Sequence, residues 1–262
     1  MYPIMVCPKF FYGISPENSK NMGGKKMSEI ISVNNLSKSY GSHQVLKNIS
    51  FSFEGGQIIG LLGPNGSGKT SLLKILTGLI HDYSGEVLIE GDAPGVVTKA
   101  KVAYLPEKTY LADWMRCRDA IEFMADFYKD FNKEKAYKML EVFQLPEKQK
   151  IKTMSKGMQE KLQLLLVMCR NAKLYVLDEP LGGVDPAARA FILDTIMKNH
   201  PEGSTILIST HLIYDVEKIF DSVLMIGRGQ VLVKSKVDEI TASGKTIEDL
   251  FKEVFANAWQ VD

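Results

Sequence analysis

The sequence predicts an α/β fold with a mostly parallel central sheet. Three short apolar segments, QIIGLL, LYVLDEP and TILIS, have the length and composition of buried strands. The first runs directly into the glycine-rich stretch GPNGSGKT and then into TSLLKILTGL, which has a helical pattern. A strand followed by a glycine-rich loop and a helix is typical of nucleotide-binding α/β proteins. This order is stronger evidence than any single residue of the pattern.

Two alternating segments precede this core. Residues 30–36 and 45–53 alternate apolar and polar side chains, which indicates half-exposed strands. Glu54, Gly55 and Gly56 form a turn signal after the second segment. We therefore expect an N-terminal antiparallel β part beside the parallel sheet.

Composition limits the classes of partner and compartment. The 262 residues carry 32 Lys+Arg and 31 Asp+Glu, so a net charge of +1 gives no global electrostatic case for nucleic acid or an anionic membrane. Three cysteines, Cys7, Cys117 and Cys169, are few, odd in number and lack metal-ligand spacing, which predicts inert thiols in a reducing compartment. No run of about 18 apolar residues is present, so we expect no membrane span in this chain.

Residues 1–26 form an unusual start. The segment MGGKKM, ending at Met27, is what an in-frame translation of a bacterial ribosome-binding site would produce. We therefore hypothesise that the natural start is Met27, while a native disordered leader remains the alternative. There is no basic region followed by a long apolar core, so a secretory signal is not expected. The remaining residues, 27–262, are expected to form a single domain.

The glycine-rich stretch predicts a phosphate-binding loop, since Gly63, Gly68, Lys69 and Thr70 satisfy the pattern G-x-x-x-x-G-K-[ST]. Glycines let successive backbone N–H groups turn toward phosphate oxygens, and the following helix adds its dipole. Lys69 is expected to reach the β- and γ-phosphates, and the Thr70 hydroxyl to hold Mg²⁺. The nucleotide-binding residues predicted here are Gly63, Asn65, Gly66, Ser67, Gly68, Lys69, Thr70 and Ser71.

Two later strand ends carry the side chains expected beside this loop. LYVLDEP ends in Asp178 and Glu179, and TILIS is followed by Thr210 and His211. Because parallel strands end at one edge of a sheet, Asp178 is expected in the Mg²⁺ shell and Glu179 as a general base for water. His211 is a candidate sensor of the γ-phosphate, although a lone histidine is more often a surface or core residue.

These motifs closely resemble the nucleotide-binding domain of ABC transporters, from about residue 30 to beyond residue 230. GPNGSGKT resembles the Walker A loop, LYVLDEP the Walker B strand, LGGVDP with Asp185 the D-loop, and MSKGMQEK the signature sequence. The resemblance implies ATP and Mg²⁺ as cofactors. It also implies a P-loop NTPase fold of ABC type, with a helical subdomain inserted at about residues 108–160.

The signature also implies a shared site. In that family two domains meet head to tail, so Ser155 and Gly157 are expected to contact the γ-phosphate held by another subunit. The residues themselves predict a helix that Ser155 caps, followed by an apolar core face. Tyr40 matches the family's adenine-stacking position, although it could equally be a strand-end tyrosine packed by its ring.

The sequence departs from the family pattern at three positions. Lys156 replaces the first signature glycine and Met158 the glutamine, and the added cation could approach the nucleotide or point to solvent. Glu107 stands where the family has its Q-loop glutamine, and no glutamine occurs between residues 58 and 143. We expect Glu107 to be a Mg²⁺ ligand, with a solvated loop acid as the alternative.

Two further regions complete the chain. In the region between Glu107 and Ser155, residues 119–145 show helical periods. We expect the aromatics of this region, Trp114, Phe123, Phe127 and Tyr128, to be mostly core, with one face near 110–114 beside the permease. After His211, a hairpin about Gly227–Gly229 is followed by a terminal helix with a cap at Thr246.

The resemblance implies an ATPase subunit of a membrane transporter, cytoplasmic and held on the inner face of the membrane by separate permease subunits. It is most similar to exporter subunits of the ABC-2 type. Importer subunits, soluble ABC ATPases acting on ribosomes or DNA, and small-molecule kinases are the alternatives, although no basic patch or repeat favours nucleic acid. Homodimer and heterodimer both remain open.

Overall fold

The computed structural model describes residues 29–182, 184 and 186–256, with the side chains of 186–188 outside that description. The expectations for residues 1–26, Cys7 and Asp185 therefore lie outside the described residues. The strands are β1 (Glu29–Tyr40), β2 (His43–Glu54), β3 (Ile58–Leu62), β4 (Ser84–Ile89), β5 (Val102–Leu105), β6 (Leu174–Asp178), β7 (Thr205–Thr210), β8 (Ser222–Gly227) and β9 (Gln230–Lys236). The helices are α1 (Lys69–Leu76), α2 (Val96–Lys99), α3 (Cys117–Phe127), α4 (Lys133–Val142), α5 (Lys156–Met168), α6 (Pro186–Asn199), α7 (Ile213–Val216), α8 (Val237–Ala242) and α9 (Ile247–Ala256).

The strands form two sheets, as the sequence predicts. One is antiparallel, in the order β2-β1-β4, and holds the two alternating N-terminal segments. The other has the order β5-β6-β7-β3-β8-β9 and is parallel except for the β8–β9 hairpin. Strand β7 lies between β3 and β6, so the phosphate loop after β3 and the acids after β6 emerge at one edge.

Each face of the parallel sheet is covered by an apolar core. In β3, Ile58 and Leu62 face one core and Ile59 and Leu61 face the other, following the period of two of a strand. Helices α3 to α9 pack on the first face, while α1 and the antiparallel sheet pack on the second. Because both faces are covered, these strands read as continuous apolar runs in the sequence.

The chain between β5 and β6 is helical, consistent with its periodic pattern, and its proposed division as a subdomain stays a prediction. The expectation for its aromatics is wrong at three positions. Trp114 is 72% exposed, Phe127 is 70% exposed, and Phe123 is also exposed. The rings of Phe123 and Phe127 pack together, with centroids 4.7 Å apart, on the outer face of α3, opposite the buried Ile121 and Met124. Only Tyr128 packs against the core.

The C-terminal elements agree with the sequence pattern. The β8–β9 hairpin turns at Gly227–Gly229, and Thr246 and Asp249 form a reciprocal cap at the start of α9. Cys117 and Cys169 are buried free thiols, and burial raises the pKa of both. Within residues 29–256, no helix is long and apolar enough to cross a membrane.

Candidate active site

The phosphate loop needs glycine at two points where the chain passes close to other elements. Gly68 has φ +106°, and a Cβ there would lie 2.7 Å from the Leu46 side chain. At Gly63, a Cβ would lie 2.2 Å from the carbonyl oxygen of Ile226. A larger residue at either position would push the loop away from its neighbours. The loop then enters α1 at Lys69.

Lys69 points back into this loop. Its Nζ donates to the carbonyl oxygen of Gly63 at 2.7 Å and lies 3.9 Å from Oε1 of Glu179. Burial lowers the pKa of Lys69, and the carboxylates of Glu179, Asp178 and Glu107 oppose that shift. The ammonium group is therefore already placed among the acids that the sequence predicts for the site.

Asp178 ends β6 in a position set by hydrogen bonds. Its Oδ1 accepts from Ser209 Oγ at 2.7 Å and from Thr70 Oγ1 at 3.4 Å. Burial raises the pKa of Asp178, the hydroxyls of Ser209 and Thr70 lower it, and Glu107 raises it further. The loop threonine and the strand-end aspartate therefore lie side by side, and their roles as Mg²⁺ ligands stay a prediction.

The donor set around Asp178 fits a magnesium ion. Its buried Oδ2 has no hydrogen-bond partner within the described part of the chain. Hydroxyl and carboxylate oxygens are hard ligands of the kind that Mg²⁺ prefers, and protein Mg²⁺ sites usually use one or two carboxylates together with substrate phosphates. Among the described residues, no cluster of three or more His, Cys, Asp or Glu side chains forms a metal cage. A site built from Thr70, Asp178 and nucleotide phosphates is consistent with both observations.

Glu179 and His211 form a pair beside Lys69. His211 Nδ1 lies 3.0 Å from Oε2 of Glu179. The Glu179 backbone has φ +50°, a left-handed conformation, and its N–H donates to Ser209 Oγ at 2.9 Å. This local turn places the carboxylate between the ammonium group of Lys69 and the imidazole. A carboxylate held in this way is suited to orient and deprotonate water.

These groups border an open cleft of about 990 Å³. It is lined by seven of the predicted loop residues, the whole run from Asn65 to Ser71, and by Glu107, Glu179 and His211. Gly63 takes part through its carbonyl oxygen. Tyr40 is half-exposed, and its hydroxyl lies 3.4 Å from Ser71 Oγ, at the border of the same cleft.

The signature segment lies partly outside this cleft. Ser155 caps α5, because its Oγ accepts from the N–H of Met158 at 3.3 Å. Neither Ser155 nor Gly157 lines the cleft of its own chain, whereas Lys156 does. The largely exposed Lys156 side chain has its Nζ 3.7 Å from Oε1 of Glu160, whose side chain is mostly buried. A Cβ at Gly157 would meet nothing within 4 Å, so this position is open to an approaching group.

The structure brings to the site several residues that sequence patterns did not identify. His43, Glu160 and Gln163 line the cleft, and Ser209 bonds both Asp178 and the backbone of Glu179. Burial raises the pKa of Glu160, an effect that Lys156 opposes. Ser209 had a sequence signal, since it is a polar residue inside an apolar strand. The other three depend on how α5 and the β1–β2 turn fold over the loop.

Comparison with known proteins gives one consistent family. Residues 46–182 match the ABC transporter family. An uncharacterized ABC transporter ATP-binding protein of Methanocaldococcus jannaschii is 34% identical over 86% of this chain and 84% of its own length. The SkfA peptide export ATP-binding protein SkfE of Bacillus subtilis is 34% identical over 78% of this chain and 88% of its own. The lantibiotic transport ATP-binding protein SrtF of Streptococcus pyogenes is 29% identical over 85% and 96%.

Solved structures agree with this result. A structure described as the ATP binding subunit of an ABC transporter has a TM-score of 0.77 and 26% identity, and covers 86% of this chain and 99% of that one. A nucleotide-free ATP-binding cassette from an ABC transporter has a TM-score of 0.69 at 23% identity, which supports the fold.

Proposed function

Because the chain belongs to the ABC transporter ATP-binding family, whose domains bind and hydrolyse ATP, we propose that it is the ATPase subunit of a membrane exporter. Separate transmembrane permease subunits would carry the substrate, and they would hold this chain on the cytoplasmic face of the membrane. The observation that carries the proposal is the convergence of Lys69, Glu179 and His211 at a phosphate-loop cleft. No direct contact with nucleic acid is expected.

The chemistry follows from the placement of these groups. The loop N–H groups and Lys69 would bind the β- and γ-phosphates and neutralise charge that develops as the terminal phosphoryl group leaves. Glu179 would align and deprotonate the attacking water, and His211 would hold Glu179 and sense the γ-phosphate. When bound, Mg²⁺ would supply charge neutralisation at the phosphates. Thr70 and Asp178 would hold it, with Glu107 as a further proposed oxygen ligand.

A second subunit would complete the site. Ser155 and Gly157 lie away from the cleft of their own chain, at the N-terminus of α5, where free N–H donors and the helix dipole favour an anion. We propose that they contact the γ-phosphate held by a partner ATPase, with Asp185 at the same interface and Tyr40 stacked on adenine. The partner can be a second copy of this chain or a related ATPase.

The export direction is supported by relatives. SkfE is named for peptide export and SrtF for lantibiotic transport. No feature of the described residues favours an importer, or a soluble ATPase acting on ribosomes or DNA, over this assignment. Co-purification from membranes with a permease, rather than with ribosomes, is the expected outcome for the tagged chain.

The dimer is tested by light scattering after size-exclusion chromatography of Glu179→Gln, which should bind ATP without turning it over. An ATP-dependent dimer that Ser155→Arg abolishes would support a shared site formed by two copies. A variant that binds ATP and stays monomeric would exclude the homodimer and require a different partner ATPase. Wild type is the control, and it is expected to dimerise only transiently because it hydrolyses ATP.

A further inference from the structure

Gln163 is an exception in the buried part of helix α5. Residues 162–168 are all buried, and Gln163 is the only one of these seven with a polar side chain. It is 3% exposed, and its Oε1 has no hydrogen-bond partner within the described part of the chain. A buried amide oxygen without a partner is destabilising, so an apolar residue would suit this position better if packing were its only role.

A small cavity lies beside this amide. It has a volume of about 30 Å³, shares lining residues with the nucleotide cleft, and lies between α5 and the ends of β5 and β6. Gln163 and Glu107 line both the cleft and this cavity, and Asp178 lines the cavity. Asp178 Oδ2 is the second buried oxygen there without a hydrogen-bond partner among the described residues. A space of this size with several polar walls suits an ordered water molecule.

Gln163 contributes an uncharged amide to a cavity wall that is otherwise acidic or apolar. Four carboxylates line it, from Glu107, Glu160, Asp178 and Glu179, and its other side chains are apolar apart from Gln163. An amide can accept and donate hydrogen bonds without adding a charge to this acidic wall. Lysine or arginine would neutralise the acids instead, and would compete with a bound cation.

We propose that Gln163 is a positioning residue of the nucleotide site, which holds an ordered water that ties Asp178 and Glu107 to helix α5. The proposal rests on ATP hydrolysis in the adjoining cleft. Ser155, which caps the same helix, lies eight residues before Gln163. This separation is about 12 Å along the helix axis, at about 1.5 Å per residue. Gln163 would therefore link the end of α5 that faces a partner ATPase to the acids of its own cleft.

The first test compares Gln163→Met with wild type. Methionine has a similar length and favours helix, so it should fill the space while removing both hydrogen-bonding atoms. We expect kcat to fall about tenfold and the half-saturating Mg²⁺ concentration to rise about fivefold, as for other residues that orient metal ligands. KM for ATP, and the affinity for a fluorescent ATP analogue in EDTA, should stay within about twofold, because Gln163 is not part of the phosphate loop.

Two further variants separate positioning from packing. Gln163→Glu keeps an acceptor at the same place and adds a negative charge that favours a cation, so its half-saturating Mg²⁺ concentration should not rise as it does in Gln163→Met. Gln57→Met is the matched control, because Gln57 precedes β3 at the end away from the phosphate loop, and its Nε2 donates to the carbonyl oxygen of Glu54 at 2.8 Å. It should lower the unfolding temperature while leaving the Mg²⁺ dependence unchanged.

Wild-type kcat and Mg²⁺ dependence in a folded Gln163→Met protein would overturn the proposal and leave Gln163 as a core residue. If Gln163→Met does not fold, a double-mutant cycle of Gln163→Glu and Glu107→Gln tests the proposal. Additive effects of the two substitutions on the half-saturating Mg²⁺ concentration would contradict a water shared by the two side chains. Absence of ATP hydrolysis in the wild-type protein would instead count against the proposed function, so the two failures are distinguishable.

Discussion

Two buried polar clusters in this molecule have opposite hydrogen-bonding states. Around Arg170, which is almost fully buried, the guanidinium donates to both carboxylate oxygens of Asp130 at 2.9 Å and to the carbonyl oxygens of Val102 and Ala100. Its planar group also stacks on the ring of Tyr128, 3.7 Å from the centroid. All three guanidinium nitrogens of Arg170 therefore donate to an acceptor.

The cluster at the nucleotide cleft is equally buried but incompletely paired. Ser67 Oγ, Gln163 Oε1 and Asp178 Oδ2 have no partner within the described residues, and Lys69 shares the site with several acids. Unpaired buried polar groups oppose folding, whereas a fully bonded network supports one specific structure. The Arg170 cluster therefore maintains the fold, and the cleft cluster is arranged for a ligand.

The largest expected effect is a loss of activity without a loss of stability, in a variant of the cleft. Glu179→Gln should lower kcat about 1000-fold, equivalent to about 4 kcal/mol in the activation barrier, because it removes the base that activates water. The free energy of unfolding of the nucleotide-free protein should not fall, since the change removes one of several neighbouring acids. Phosphate release and urea unfolding measured on the same preparation test both statements. Loss of stability parallel to loss of activity would show that Glu179 is a structural residue.

The reverse result is expected at the other cluster. Arg170→Met should lower the free energy of unfolding by about 3 to 4 kcal/mol, because it leaves the Asp130 carboxylate and several carbonyl oxygens without their donor. The folded fraction should keep its kcat, since Arg170 does not reach the cleft. Lys198→Met is the control: Lys198 forms an exposed helical pair with Asp194, and its removal should change stability by less than about 0.5 kcal/mol. Equal losses in the two variants would contradict the contrast between the clusters.

Ser209 should show a smaller, mixed effect. Ser209→Ala removes the donor to Asp178 and one of the two acceptors of the Glu179 N–H, while the carbonyl oxygen of residue 209 remains as the other. We expect about a tenfold decrease in kcat and about 1 kcal/mol less stability, because both acids lose a bond that orients them. Ser204→Ala is the matched control, since the buried Ser204 Oγ has no hydrogen-bond partner among the described residues and its loss should be neutral. Unchanged kcat in Ser209→Ala would mean that the backbone alone positions the acids.

Local patterns predicted the phosphate loop, two helix caps and every described strand except β4 and β5, because each of these features is set by a few consecutive residues. Gly68, for example, is required by its own φ and by the close approach of Leu46. The meeting of Thr70 with Asp178 was also predictable, since parallel strands end at a common edge. Adenine stacking, the partner contacts and the roles of individual site residues stay predictions.

Other features required the tertiary arrangement. Helix α3 is apolar on two faces, so periodicity did not show that Phe123 and Phe127 lie on the exposed one. Gln163 lies inside the apolar run of α5 and Arg170 lies just after the end of that helix, and the sequence pattern does not show which of the two side chains is fully hydrogen-bonded. What distinguishes them is which strands and loops pack against the helix, and this depends on contacts between residues far apart in the sequence.

The smallest expected effect has the opposite sign to the others. Asp178→Asn should raise the free energy of unfolding of the nucleotide-free protein by about 1 kcal/mol or less, because it removes a buried charge close to Glu107 while keeping an acceptor for Ser209. The same variant should lose the added stability that Mg²⁺ with ATP gives to wild type, since stabilisation by a ligand follows its affinity for the folded state.

Thermal unfolding with and without Mg²⁺ and ATP measures both parts of this prediction. Asp221→Asn is the control, because the Asp221 carboxylate at the opposite edge of the sheet accepts the N–H of Ile58 at 2.7 Å and bears no relation to the nucleotide. It should be slightly destabilised and should keep its full response to the ligand. If Asp178→Asn instead destabilises the nucleotide-free protein, the Asp178 charge contributes to folding. The cleft cluster would then stabilise the fold as the Arg170 cluster does, despite its unpaired atoms.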